Sequence, residues 1–491
     1  MIRSFCLGPR HVPPITASRI RRLQPLFHKL YEGVANDVDF LCTALAPSTS
    51  SSDSGSSSSG STSCAWLEHE LNIFRALAPW AASKPRLLLP NSVYLQPEAN
   101  TGSEDAPEVV LSVGNVQAGE PYQLQLVHTL QRAEHGADVQ SGPLHDVCIA
   151  LAQAARLVHP SAPCVAILAK PLDQLALRTR CDVRGVGERL RTQHGIATVL
   201  YLSIDDLTDA TVDASTRDLC LGPHRISTVY IRYDFSHPFG AHVPDVADGL
   251  LADNQRAAYL RREWLAVEAM ERSRAVLSSS LGSRLAHRRR VQHALLAEPD
   301  ALERFVSAPE AVELRRVLPR QWALGGAASH SHEAKEARDL FEAYPTGFVA
   351  KSALRPRTGS KATQDRTASG GVTLTAPDPI RALLASPAAE WFLLYQKVAP
   401  ATHDAQIVHS GEVHDLHGDA ASELAAFGAY LSAPPDDGAA VLIDTVAGLG
   451  ARTRPAEASH PLASGLGYGA LSCVAVAGDE GGREAETGGI P

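Results

Sequence analysis

Two lysines carry the most specific chemical signal in this chain. Lys351 ends a short apolar run, Gly347-Phe-Val-Ala-Lys351, and Lys397 stands near the end of a second, Trp391-Phe-Leu-Leu-Tyr-Gln-Lys-Val398. Between them, Arg355 to Gly371 is a patternless stretch rich in Arg, Thr, Ser and Gly. Two buried strands that each deliver an ammonium, separated by such a loop, suit an anion held against a sheet beneath a mobile cover, and a nucleotide is the natural candidate. The chain uses few lysines and many arginines, so an indifferent lysine would have drifted to arginine. A compact ammonium kept at both places fits a phosphate pocket that a planar guanidinium does not, against the alternative of chance placement. A third cation, Arg232, closes the run Thr228-Val-Tyr-Ile-Arg232. At the carboxyl end of a parallel strand it could grip an anionic substrate, or it could form an ordinary salt bridge.

The elements that must position these residues are legible from apolar spacing. Ile20, Leu23, Phe27, Leu30, Val34, Val38 and Leu41 step by three or four and predict one helix from Ser18 to Leu45. Pro47 to Ser63 is almost wholly Ser, Thr and Gly, a composition that predicts a disordered insertion, and a helix resumes over Cys64 to Trp80. Strands are expected within Pro85 to Gln96 and Glu108 to Gln117. Cys164 to Phe239 has a strand-helix-strand rhythm: strands at Cys164–Ala169, Ala197–Leu202 and Thr228–Arg232, and a helix over Val183 to His194. Glu263 to Leu295 reads as one helix, and the tail from Gly478 reads as disordered.

Composition sets the outer bounds. With 491 residues, 44% hydrophobic, and a net charge of −9, the chain can bury a large core and does not have the basic balance of a nucleic-acid binder. No run approaches the ~20 apolar residues of a membrane span. The eight cysteines are scattered, without a CxxC pair or zinc spacing, which predicts a reducing compartment. Residues 1–17 read as an N-terminal extension. The first 31 residues carry six basic side chains and no acid before Glu32, so organelle import stands beside a cytoplasmic location as a reading.

The order strand-Lys, loop, strand-hinge-Lys resembles the nucleotide site of ATP-grasp ligases, and its flanks resemble eukaryotic glutathione synthetases, over about Pro14 to Asp479 in patches. Phe27 to Leu41 is similar to an early helix of that family. Met270-Glu-Arg-Ser-Arg-Ala275 resembles L-E-R-S-H-A, Arg288-Arg-Arg-Val-Gln292 resembles T-K-K-V-Q, Ala421 to Gly428 resembles I-S-E-L-G-I-F-G, and Gly450-Ala-Arg-Thr-Arg454 resembles L-L-R-T-K. The resemblance implies an α/β chain with an ATP-grasp ligase fold and an inserted parallel-sheet substrate-binding subdomain. That subdomain would span 164–265, between an N-terminal part of the ATP-grasp domain at 18–163 and its ATP-binding part at 266–479, with a tail at 480–491. It further implies ATP binding by Arg289, Lys351, Lys397, Val398, Glu423 and Arg454, with Glu423 on the ribose and the cations on the phosphates. Arg232 and Arg452 would bind substrate, Arg452 being the candidate catalytic residue. The implied reaction is ATP-dependent ligation of gamma-glutamylcysteine and glycine, in a homodimer without nucleic-acid or membrane partners. The alternative is a homologue that keeps the fold as a binding or dimerisation partner.

Three departures from the family pattern concern Mg2+. Ser112 and Gly114 stand where the family has its glutamate and asparagine ligands, and Arg355 stands where K-P-x-x-E-G-G-G-N-N has its glutamate. A hydroxyl and a hydrogen cannot replace a carboxylate and an amide around a hard cation. No metal-ligating residue is therefore assigned. Asn91 replaces a substrate-binding arginine, and Phe235 a tyrosine. Gly465-Leu-Gly-Tyr-Gly469 lies near the family's glycine-rich lid with different spacing.

Overall fold

The computed structural model describes residues 4–46, 61–98, 108–115, 120–135, 142–175, 177–232, 264–324, 332–353, 365–366, 372–386, 389, 391–434, 440–457 and 469–476. Arg355, Phe235, most of the Ser-rich stretch, Gly465 to Tyr468 and the tail lie outside them.

Strands β1 (Ser4–Cys6) and β2 (Arg10–Val12) open the described chain, followed by helices α1 (Pro14–Asn36), α2 (Val38–Leu45) and α3 (Ser61–Ala81). The helix expected from Ser18 to Leu45 is two helices. Asp37 breaks it with an extended backbone, and its carboxylate accepts from the Phe40 N–H at 2.9 Å, capping α2. Next come β3 (Arg86–Leu88), β4 (Asn91–Leu95), β5 (Val110–Asn115), α4 (Pro121–His135) and α5 (Leu144–Val158).

The strand-helix-strand region follows as β6 (Cys164–Leu168), α6 (Leu177–His194), β7 (Thr198–Leu202) and α7 (Ile204–Thr208). A small antiparallel sheet of β8 (Thr211–Val212), β9 (Leu219–Leu221) and β10 (His224–Ile226) precedes β11 (Thr228–Ile231). Then come α8 (residues 264–272) and β12 (Val276–Leu277). The strands β12, β11, β6 and β7 lie side by side in that order, every neighbouring pair parallel. Their side chains are almost all buried, as a parallel sheet covered on both faces requires. The fourth strand, β12, lies beyond the boundary expected at 265.

The single helix expected over Glu263 to Leu295 is α8, β12, α9 (Leu281–Ala286) and α10 (Arg289–Ala297). A serine run breaks it. The Ser278 hydroxyl accepts from the Ile231 N–H at 2.9 Å, and the Ser280 hydroxyl accepts from the Ser283 N–H at 3.2 Å as the cap of α9. Serines that bond outside the helix in this way compete with helical backbone bonds.

After α11 (Ala308–Val317), the strands β13 (Gln321–Ala323), β14 (Phe348–Ser352), β15 (Asp365–Arg366), β16 (Val372–Leu374) and β17 (Phe392–Gln396) form an antiparallel sheet in the order β13-β17-β14-β16-β15. One face, with Phe348, Ala350 and Leu394, packs with Phe341 of α12 (His332–Ala343) and Ile380 of α13 (Pro377–Leu384). The other face carries Val349, Leu393 and Tyr395.

The largest sheet is completed by β18 (Thr402–His409), β19 (Glu412–Ser432), β20 (Val441–Pro455) and β21 (Ala470–Val476), in the order β18-β1-β21-β20-β19-β4-β5. Because β18 also pairs with β19, these strands close on themselves around Cys6, Ile407, Leu416, Ala420 and Ala470. Within residues 1–17, read from the sequence as an extension, two short stretches are sheet strands: Ser4 to Cys6 pair with Ile407 to His409, and Arg10 to Val12 with Val474 to Val476. Beyond the closed part, Leu424, Ala426 and Ala451 face a core shared with Ile20, Leu23 and Phe27 of α1. Ala425, Phe427 and Leu471 face a second core with Leu124 of α4 and Leu151 of α5. Among the described residues no helix is long and apolar enough to cross a membrane.

Candidate functional site

The two lysine-bearing strands are direct neighbours. β14 pairs with β17 from Phe348↔Gln396 to Ser352↔Phe392, and the Lys397 N–H donates to the Gly347 carbonyl at 2.8 Å just past the strand end. Strand alternation puts Val349, Lys351, Leu393, Tyr395 and Lys397 on one face. Lys351 and Lys397 are therefore four positions apart along that face, about 13 Å at the rise of a strand. Lys397 is exposed, and Val398 is partly buried.

Lys351 is the better enclosed. Its ammonium lies 4.9 Å over the Tyr395 ring and donates to the Ser112 carbonyl of β5 at 3.4 Å. Arg289, 5% exposed at the first turn of α10, donates through Nη1 to the Ser352 carbonyl at 2.9 Å, so it is fixed to the end of the same strand. Burial, then the nearby Arg289 guanidinium, pull the Lys351 ammonium down from an ordinary 10.5 to about 7, against the opposing charge of Glu423. Burial likewise lowers the pKa of Arg289. Beside them a small hollow of about 10 Å³, room for about one water, opens to solvent and is lined by Leu111, Ser112, Gly114, Arg289, Gln292 and Tyr395, with Pro319. Two cations converge from separate elements on the edge of β5.

Glu423, Arg452 and Arg454 share one face of the large sheet. Glu423 is the register partner of Arg452, and Arg454 lies two residues on, its guanidinium 4.0 Å from the Glu423 carboxylate. Arg452 is paired with Glu120 at 3.3 Å, both side chains being largely buried. Glu120 immediately precedes α4 and adopts a left-handed backbone, φ 65°. Arg232 pairs with Asp182 at 3.1 Å, and the other carboxylate oxygen of fully buried Asp182 accepts from the Tyr122 N–H at 2.9 Å. Both candidate substrate arginines are thus linked, each through an acid, to the first residues around the start of α4.

Of the residues proposed from sequence, Arg289 and Glu423 each act on Lys351, and Arg454 joins them through Glu423. Lys397 and Val398 lie further along the sheet, and Arg232 belongs to the end of the parallel strand β11. Sequence reasoning missed Tyr395, Gln292 and Asp182. Tyr395 could have been found by alternation, since it is two residues from Lys397 and so shares its face.

Among the described residues, none that lines this hollow carries a carboxylate for Mg2+. Among the described residues no group of three or more His, Cys, Asp or Glu side chains could hold a metal ion. A Cβ built on Gly114 would stand 3.1 Å from the Tyr31 hydroxyl, which would have to give by a few tenths of an ångström, and in ordinary contact with Gln292 Nε2 at 3.5 Å.

No family model and no curated protein matches the sequence. Among solved structures, a glutathione synthetase-like effector from Globodera pallida in its apo form matches over 97% of this chain and 91% of that one, at 14% identity and a TM-score of 0.62. A chain from Methylobacillus flagellatus, assigned as a gamma-glutamylcysteine synthetase, matches over 81% and 84% at 14% identity, and its TM-score of 0.38 lends no weight. The chain shares its fold with the effector.

Proposed function

We propose that this chain is an ATP-dependent carbon–nitrogen ligase of the glutathione synthetase type, built on an ATP-grasp fold, that joins gamma-glutamylcysteine to glycine. The observation that carries the reading is the convergence of Lys351 and Arg289 on the edge of β5, with the charge of Glu423 acting on Lys351. In the reaction a carboxylate oxygen of the dipeptide attacks the terminal phosphorus of ATP; a C–O–P linkage forms as the phosphorus–oxygen bond to ADP breaks. The glycine amine then attacks the acyl carbon, a C–N bond forms, phosphate leaves with the oxygen, and the amine gives up a proton to solvent. Such chemistry asks mainly for positioning and for charge neutralisation on the phosphates. Lys351 and Arg289 would meet the terminal phosphate, Arg454 and Lys397 the outer charges, and Glu423 with Val398 the nucleoside. Arg452 and Arg232 would orient the dipeptide.

A second reading, a binding partner of the same fold without ligation, is favoured by one observation: Arg452 and Arg232 are each held by an acid, Glu120 and Asp182. The two separate in an assay of ADP release with gamma-glutamylcysteine and glycine, with the tripeptide product weighed by mass spectrometry. Stoichiometric ADP and tripeptide support the ligase. Nucleotide binding without turnover supports the partner.

A further inference from the structure

The position where a metal ligand would be expected on β5 is met instead by a cation. The Lys351 ammonium reaches the Ser112 carbonyl at 3.4 Å, and the Arg289 guanidinium is anchored next to it on the Ser352 carbonyl at 2.9 Å. Both belong to rigid pieces of backbone, Lys351 to a paired strand and Arg289 to the first turn of α10. Two like charges held together cost free energy until an anion stands between them. A divalent cation brought to the same place would be repelled by both, and none of the residues lining this hollow carries the carboxylate that a hard cation favours. Ser112 contributes a carbonyl already used by Lys351, and Gly114 has no side chain to offer. The acid acting on Lys351, Glu423, is itself within 4.0 Å of the Arg454 guanidinium.

We infer that the solvent-open edge of β5 beside Lys351 and Arg289 binds the polyphosphate of a nucleotide directly, without a divalent cation, Lys351 and Arg289 supplying the positive charge that such an ion would otherwise bring. The inference rests on the nucleotide site proposed above and changes its chemistry. Side-chain cations give charge-assisted hydrogen bonds in a fixed fork and a fixed point, so they orient the phosphate as well as neutralise it.

The test is calorimetric titration of the full-length protein with ATP, once in EDTA and once in excess MgCl2, and with inorganic tripolyphosphate in EDTA. Binding in EDTA at least as tight as in MgCl2, with tripolyphosphate binding too, is the expected result. Lys351→Met should weaken the EDTA affinity by about tenfold or more, and Lys351→Arg should restore part of it, with far-UV circular dichroism unchanged. Binding only in the presence of Mg2+ would overturn the inference and leave the nucleotide reading standing. Binding in EDTA that neither Lys351→Met nor Arg289→Gln weakens would also overturn it, since the anion would then sit elsewhere. Absence of binding under every condition would overturn the nucleotide reading itself.

Discussion

Lys351 gives the sharpest prediction about stability. Its ammonium is pulled from 10.5 to about 7, first by burial and then by Arg289. The gap is equivalent to about 5 kcal/mol, an upper figure because solvent at the open side of the cavity screens part of it. The folded pKa is depressed, so between pH 7 and 10.5 the unfolded chain binds the extra proton and stability from this group rises with pH. Below pH 7 the ammonium is carried in both states and the full cost is present. Lys351→Met, neutral and similar in length, should therefore stabilise the protein at pH 6, by about 1 to 3 kcal/mol after that discount, and by much less at pH 9. Urea unfolding followed by tryptophan fluorescence at both pH values measures the difference. Equal destabilisation by Lys351→Met at pH 6 and pH 9 would refute the reasoning. It would mean that the contacts to the Ser112 carbonyl and the Tyr395 ring outweigh the cost of burying the charge.

Asp182→Ala should destabilise by about 3 to 5 kcal/mol, because it strands Arg232 and the Tyr122 N–H in a buried setting; a loss below about 1 kcal/mol in urea unfolding would show that the pair is dispensable. Gly428→Ala places a Cβ 2.0 Å from His28 Nε2, a ring held by Asp444 at 2.7 Å, and should cost about 1 to 3 kcal/mol by overpacking, read as a lower thermal midpoint. If Arg452 grips the carboxylate of the dipeptide, Glu120 competes for it at 3.3 Å. Glu120→Gln should then lower KM for the dipeptide several-fold with kcat little changed, and a raised KM would instead make Glu120 part of the substrate site.

The paired lysine strands were legible because each is a short apolar run between breakers, and alternation fixes which residues share a face. The parallel strands at Cys164, Thr198 and Thr228 were legible for the same reason. β19 was not legible as a strand: Ala-Ala-Ser-Glu-Leu-Ala-Ala is rich in helix formers, and pairing with β18, β4 and β20 overrides that preference. The strands at Ser4 and Arg10 are three residues each, too short for any period to show, and they exist because β18 and β21 offer free edges. The ion pairs at the candidate site join residues 50 and 332 positions apart, Asp182 with Arg232 and Glu120 with Arg452. A single sequence contains no pattern that matches such partners, so the arginines could be named but not the acids that hold them.

The central claim is that the anion seat lies where β14, β17 and the start of α10 meet β5. Hydrogen–deuterium exchange of the full-length protein with and without ATP tests it most directly. Added protection concentrated in residues 110–115, 289–292, 348–353 and 392–398, and reduced in Lys351→Met, is the predicted result. ATP-induced protection confined to the parallel sheet around Cys164–Leu168 and Thr228–Ile231, with those four segments unchanged, would contradict it.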